Sequence, residues 1–205
     1  MIAIIDYGMG NIRSLSNAVE FIGYPVTITS NPHDIRDSQK IILPGVGAFG
    51  DAMAALRGRG LDEILYEQVV EHGKPMLGIC LGLQLLTRSS EEHGFHQGLG
   101  WIDAEAVKFE SQWKVKIPHI GWNDIAYTNP DPLFRGLKKE ERAFYFVHSF
   151  YVRCRNAADI LATCRYGIDF TAVIRRNNIL ATQFHPEKSQ DNGIQVLRNF
   201  LKWNP

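Results

Sequence analysis

A single junction narrows the possible folds more than any other feature of the chain. Pro75 to Ile79 is a short apolar run that reads as a strand, and it passes without a loop into Cys80 and the helix-like Leu81 to Thr87. Gly78-Ile79-Cys80-Leu81-Gly82 has the form of a nucleophile elbow, glycine-x-nucleophile-x-glycine at a strand-to-helix turn, with cysteine in place of serine. The glycines are mechanical. Such a turn strains its central residue and brings the neighbours too close for side chains. The thiol then sits at a helix N-terminus, where free backbone amides favour the reactive thiolate. A lone cysteine belongs most often to a core, but the flanking glycines argue for the elbow.

Around this junction the first half alternates short strands with helices. Ile2 to Ile5 reads as a buried strand, and Ile12, Leu15, Ala18, Val19 and Ile22 follow at helical spacing, with Asn11 as N-cap and Gly23-Tyr24-Pro25 as the stop. Val26 to Thr29 and Lys40 to Leu43 read as further strands, and Leu61 to Val70 as a helical stripe ending near Gly73. This pattern predicts an α/β fold with a mainly parallel sheet flanked by helices on both faces. Beyond the elbow the chain turns toward β. Ala104 to Phe109, Val115 to His119, Ala143 to Val147, Phe150 to Arg153, Ile160 to Cys164, Phe170 to Arg175 and Ile179 to Phe184 read as strands, and a last helix carries Ile194, Leu197 and Leu201. An antiparallel portion is therefore expected in the second half. No linker or repeat divides the 205 residues, which predicts one domain over 1–205.

Twenty-two basic residues balance 22 acidic ones, so no net field draws the chain to nucleic acid or an anionic membrane. No apolar stretch is long enough to span a bilayer, and Met1 to Asp6 lacks the basic leader of a signal peptide. Cys80, Cys154 and Cys164 are odd in number and fit neither a disulfide framework nor a zinc site, which points to the reducing cytoplasm. His93 and His96 have no third ligand nearby and read as a solvated loop; no metal and no cofactor are expected.

Three further segments bear on chemistry. Gln183-Phe184-His185-Pro186-Glu187-Lys188 ends an apolar strand, and in extended backbone His185 and Glu187 point to the same side, where the carboxylate can fix the imidazole tautomer. With Cys80 these residues supply a nucleophile, a base and an orienting carboxylate, each at the carboxyl end of a strand. Pro44-Gly45-Val46-Gly47-Ala48-Phe49-Gly50 matches a dinucleotide fingerprint, but it follows the third strand, and the region where an acidic residue should end a second strand reads as helix. It reads better as a flexible turn whose backbone amide points at an oxyanion beside the nucleophile. Gln84 lies one helical turn after Cys80 and should face the same site.

Together these residues resemble the class I, triad-type glutamine amidotransferases. The likeness extends in order and spacing through Asp6 to Asn11, Arg13-Ser14, Pro44 to Phe49, Gly78 to Gln84, Pro118 to Asn123, Tyr145 to Ser149 and Gln183 to Ser189. Ile120 and Phe150 stand where the family more often has methionine and tyrosine. The resemblance implies a flavodoxin-like glutaminase core that hydrolyses glutamine through Cys80, His185 and Glu187. It further implies oxyanion donors at Leu81 and at Val46 or Gly47, and substrate contacts from Gln84 and the backbone of Ser149 and Phe150. The Asp-Tyr-Gly start and the Pro-His-x-Gly-Trp-Asn segment imply the subfamily that docks on a (β/α)8 cyclase and passes ammonia into it in histidine biosynthesis. Close paralogues that serve amidino-sugar biosynthesis with an equivalent barrel are also implied. Met9, Asn11, His119, Trp122, Asn123 and Tyr145 are the candidate interface residues. Two other classes stay open at this point: a cysteine hydrolase or peptidase on a related fold, and a non-catalytic binding module.

Overall fold

The structure, a computed structural model, describes residues 1–127, 130–137 and 143–205. A strand buried at every position belongs to the interior of a sheet, and Ile2–Ile5, Lys40–Leu43 and Met76–Ile79 are of this kind, whereas Val26–Thr29 at the sheet edge is only partly buried. β1 (Ile2–Ile5) leads through α1 (Ile12–Ile22), β2 (Val26–Thr29), α2 (Pro32–Asp37), β3 (Lys40–Leu43), α3 (Phe49–Gly58) and α4 (Leu61–Leu65) to β4 (Met76–Ile79) and α5 (Leu81–Leu85). Gly23 ends α1 in the left-handed region at φ 103°, as its position predicts. Asn11 stands at the N-cap, but its side chain makes no capping hydrogen bond.

Two helices go beyond the sequence expectation. α2 is opened by Asn31, whose side chain accepts from His33 N at 2.9 Å, with Pro32 at the first helical position. α3 follows the glycine turn directly. The stripe Leu61 to Val70, expected as one helix, divides into α4 and a π-turn over Tyr66–Glu71.

The second half contributes β5 (Ser89–Ser90), β6 (His96–Gln97), β7 (Ala104–Lys108), β8 (His119–Ala126), β9 (Ala143–His148), β10 (Phe150–Cys154), β11 (Ile160–Tyr166), β12 (Ile168–Arg176) and β13 (Ile179–Thr182), closed by α6 (Gln190–Lys202). The strand expected over Val115 to His119 is displaced: β8 begins at His119 and runs to Ala126. Pro118 has no N–H to give to a ladder, so pairing starts only after it. His96 is also not in a solvated loop. It pairs in β6 with Ser90 and packs so closely on Gly50 of α3 that a Cβ there would lie 2.5 Å from its ring.

The sheet runs in the order β2-β1-β3-β4-β13-β12-β10-β7-β5-β6, and β11 joins β8 and β9 to the edge of β12. β2, β1, β3, β4 and β13 are mutually parallel, whereas β12 runs antiparallel to β13 and begins the antiparallel part. Period-two alternation explains why the central strands are apolar throughout. Ile2, Ile4, Ile42, Leu77, Ile79 and Leu180 enter a core beneath α1 and α6. Ala3, Ile5, Ile41, Leu43, Met76, Ile179 and Ala181 enter a second core beneath α3, α4 and α5.

One glycine holds α5 against this sheet. A Cβ on Gly82 would lie 2.0 Å from the Leu43 carbonyl oxygen, a backbone atom that cannot move aside. Gly82→Ala should therefore lower unfolding stability by about 2 kcal/mol or more. Gly58→Ala in α3, where nothing lies within 4 Å, should be neutral or gain up to about 1 kcal/mol. Urea unfolding of the two variants checks the contrast.

Candidate active site

Cys80 ends β4 with φ 55° and ψ −108°, a conformation that costs a non-glycine residue about 1–3 kcal/mol. The surrounding backbone holds it there. Cys80 N donates to Thr182 O at 2.7 Å, and its carbonyl accepts from Leu83 N at 3.0 Å and Gln84 N at 3.3 Å. The elbow glycines are needed for clearance: a Cβ on Gly78 would lie 3.0 Å from Gly82 O. The thiol is 5% exposed, with Val147 O at 3.8 Å and Gln183 Nε2 at 3.9 Å from the sulfur.

β13 runs parallel to β4 with Thr182 opposite Ile79, so the segment after β13 emerges beside Cys80. His185 is fixed there by its own N–H, which donates to Tyr145 O at 2.9 Å, and by its carbonyl, which accepts from Ser189 Oγ at 2.6 Å. Its Nδ1 lies 2.9 Å from Glu187 Oε1, with both side chains only 3% exposed. The expected pair forms, but by a different route. Pro186–Lys188 is a 3-10 turn rather than extended chain, and it is this turn that folds the carboxylate back onto the ring.

His185 Nε2 and Glu187 Oε2 are buried without a hydrogen-bond partner. Burial pushes the imidazole pKa down, but the interactions of the ring with Cys80 and Glu187 outweigh it and hold it at about 10.

A cavity of about 380 Å³ opens above the sulfur. Val46, Gly47, Leu81 and Gln84 line it together with Val147 to Phe150 and His185. The two turn glycines do different work. Gly45 is a packing residue, since a Cβ there would lie 2.5 Å from Tyr7 Oη and 2.8 Å from Leu81 Cβ. Gly47 is conformational, at φ +98°. Tyr7 Oη donates to Pro44 O at 2.8 Å and anchors the start of the turn. The Gln84 side-chain amide is already engaged, donating to Phe150 O at 2.8 Å and Gln183 Oε1 at 3.3 Å.

Five cavity residues, Glu92, Pro118, Val147, His148 and Lys188, were not among the expected site residues. Glu92 reaches the cavity from the β5–β6 loop while its carboxylate accepts from Phe49 N at 2.7 Å, and no local pattern signals that long-range placement. Lys188 lies at the rim with its ammonium 5.7 Å from the centre of the Tyr145 ring, and only its adjacency to Glu187 hinted at a role. Among the expected interface residues, Trp122 is 48% exposed and faces Tyr145 across the β8–β9 pair. Asn123 donates to Arg165 O at 3.0 Å, and Met9 packs against Gly47. His119 departs from the expectation: it is buried, stacked on Tyr166 and Phe146, and offers no side-chain surface to a partner. Among the described residues no cluster of three His, Cys, Asp or Glu is arranged to hold a metal. No helix among them is long and apolar enough to cross a membrane.

The raised basicity of His185 has a consequence for stability. Its folded-state pKa of about 10 exceeds the ordinary 6.5, so the proton is held more tightly in the folded state. Stability from this group is complete below about pH 6.5 and is lost as pH rises toward about 10, at up to about 1.4 kcal/mol per pH unit. Denaturant unfolding across that range should show a steeper decline in the native protein than in His185→Asn.

Comparisons with known proteins place the chain in a family. Residues 3–203 match the family model described as glutamine amidotransferase class-I. The chain is 51% identical to imidazole glycerol phosphate synthase subunit HisH 2 of Nitrobacter winogradskyi, covering 100% of this chain and 99% of that one. It is 48% identical to subunit HisH of Syntrophotalea carbinolica, covering 98% of each. Among solved structures, PurLQS from Thermotoga maritima superposes with a TM-score of 0.75 at 20% identity, over 98% of this chain and 96% of that one, which speaks to the fold alone. The chain belongs to the class-I glutamine amidotransferases, and within them to the family of imidazole glycerol phosphate synthase HisH subunits.

Proposed function

We propose that the chain hydrolyses glutamine to glutamate and ammonia with Cys80, His185 and Glu187, and delivers the ammonia to a (β/α)8 cyclase partner in histidine biosynthesis. The observation that carries this is the buried His185–Glu187 pair at 2.9 Å beside a cysteine held at positive φ under a cavity. Cys80 thiolate attacks the side-chain amide carbon. Backbone amides of Leu81 and of Val46 or Gly47 hold the oxyanion. The His185 imidazolium protonates the departing nitrogen, which leaves as ammonia and gives a glutamyl thioester. The neutral ring then takes a proton from water as the oxygen attacks, and collapse releases glutamate and restores the thiolate and imidazolium. Glu187 keeps Nδ1 protonated, so that Nε2 faces the chemistry.

The backbone at Ser149 and Phe150 holds the amino-acid end of glutamine, and the Glu92 carboxylate on the cavity wall suits its ammonium group. A partner is supported by exposed apolar side chains: Ile120 is 59% exposed, Trp122 48%, and Val46, which lines the cavity, 39%. Met9, Asn11 and Tyr145 fit the same role. Capping by the partner keeps ammonia from solvent.

Cys80→Ala should abolish glutamine-dependent synthesis while the assembled enzyme still uses ammonium salts, since only ammonia release needs the thiolate. Glutamine hydrolysis at a rate comparable to the native protein would remove Cys80 from the assignment. The subunit alone should also be a poor glutaminase. Gly47 permits the peptide after Val46 to rotate toward or away from the oxyanion, and one missing donor costs about 3 kcal/mol, roughly a hundredfold in rate. Steady-state hydrolysis by the subunit alone, with partner, and with partner plus its ligand measures this. Full activity in the first sample would contradict it.

A further inference from the structure

His119 and His148 are directly opposite each other in the β8–β9 register, and both side chains are buried. Their rings are joined, with His119 Nδ1 3.0 Å from His148 Nε2. His148 Nδ1 in turn lies 2.8 Å from Phe150 O. A carbonyl only accepts, so His148 must carry its proton on Nδ1. Its Nε2 is then an acceptor, and His119 must donate from Nδ1. Burial holds both rings neutral, with pKa values lowered to about 4 for His119 and about 3 for His148, so this donor order is stable across the working pH range.

The chain ends on a carbonyl that already accepts from Gln84 Nε2 at 2.8 Å. Both acceptor positions of Phe150 O are thereby occupied, and the neighbouring Ser149 O accepts from Phe109 N at 3.2 Å. The turn between β9 and β10 is fixed from two sides, by α5 through Gln84 and by β8 through the histidines. This turn forms one wall of the cavity above Cys80.

We propose that His119 and His148 are positioning residues for glutamine: a directional His119→His148→Phe150 hydrogen-bond chain that, with Gln84, sets the backbone holding the amino-acid end of the substrate. This rests on the glutaminase assignment and adds two residues that touch neither the nucleophile nor the bond that breaks. The stacking of His119 on Tyr166 at 3.9 Å between centroids keeps the donor ring in place.

The test compares two reagents for Cys80 in the chain assembled with its cyclase partner and the partner's ligand: a diazoketone analogue of glutamine, which needs the wall, and iodoacetamide, which does not. His148→Phe keeps the ring volume within an aromatic cluster but removes the donor. Its labelling by the analogue should fall about tenfold relative to iodoacetamide, the loss expected for one buried hydrogen bond. His119→Phe should give a smaller fall in the same ratio, because His148 keeps its donor but loses the constraint on its tautomer. Histidine 15N spectra of the native protein at pH 6 should show both rings neutral with the proton on Nδ1. An unchanged labelling ratio in both variants, or a His148 protonated on Nε2, overturns the proposal. So does an equal loss with both reagents accompanied by a lower Tm, which marks the pair as core packing only. If the native chain is not saturably labelled by the analogue, it is the glutaminase assignment that fails.

Discussion

Everything at the site depends on the parallel pairing of β4 with β13. Thr182 lies opposite Ile79, and the Cys80 amide continues the ladder by donating to Thr182 O at 2.7 Å. That register brings the segment carrying His185 out beside the thiol. A one-residue slip would turn Leu180 and Ala181 to the wrong cores, and because each face is filled by a separate apolar cluster, the slip is heavily penalised. The separation between Cys80 and His185 is therefore set by core packing, before any interaction between the two side chains.

The same packing pays for two unfavourable features. Cys80 is held at positive φ, and the ionisable side chains of Cys80, His185 and Glu187 lie together away from solvent. Buried charge is tolerated only when paired. Glu187 meets His185 through a 2.9 Å contact, while the remaining nitrogen and oxygen stay unpartnered. Unsatisfied buried groups are rare and collect where chemistry occurs. Here the open nitrogen is the one on the reacting side of the ring.

Much of this was legible in the sequence because its signals are local. The elbow, the His-Pro-Glu segment and the glycine turn each lie within a few residues, and strand periodicity placed them at the same edge of the sheet. Where expectation and structure part, the cause is nonlocal or positional. β8 starts at His119 because Pro118 cannot donate, yet the polar alternation of Gly121 to Asp124 hid its length. α2 is too short for periodicity, although Asn31-Pro32 was a readable start. Glu92 reaches the cavity only because β5 and β6 fold that loop back toward α3. His119 sat in a motif that suggested a partner surface, and its cross-strand register with His148, invisible in one dimension, put it in the interior.

The glycine turn after β3 shows how finely the two requirements divide. Gly45 is locked, since Tyr7 and Leu81 occupy the space a side chain would need, and the Tyr7 hydroxyl holds the preceding carbonyl. Gly47 has the opposite character: its φ of +98° is open to glycine alone, and its nearest neighbour is the flexible end of Met9. Rotation within the turn is thus confined to the peptides on either side of Val46, whose side chain is already 39% exposed beside the cavity. A partner pressing on Met9 and Val46 would act on those peptides and on little else. The elbow, fixed by backbone ladders and by Gly82 against Leu43, would stay where it is. A turn of this kind would let a partner redirect one backbone amide beside the cavity while leaving the fold and the elbow in place.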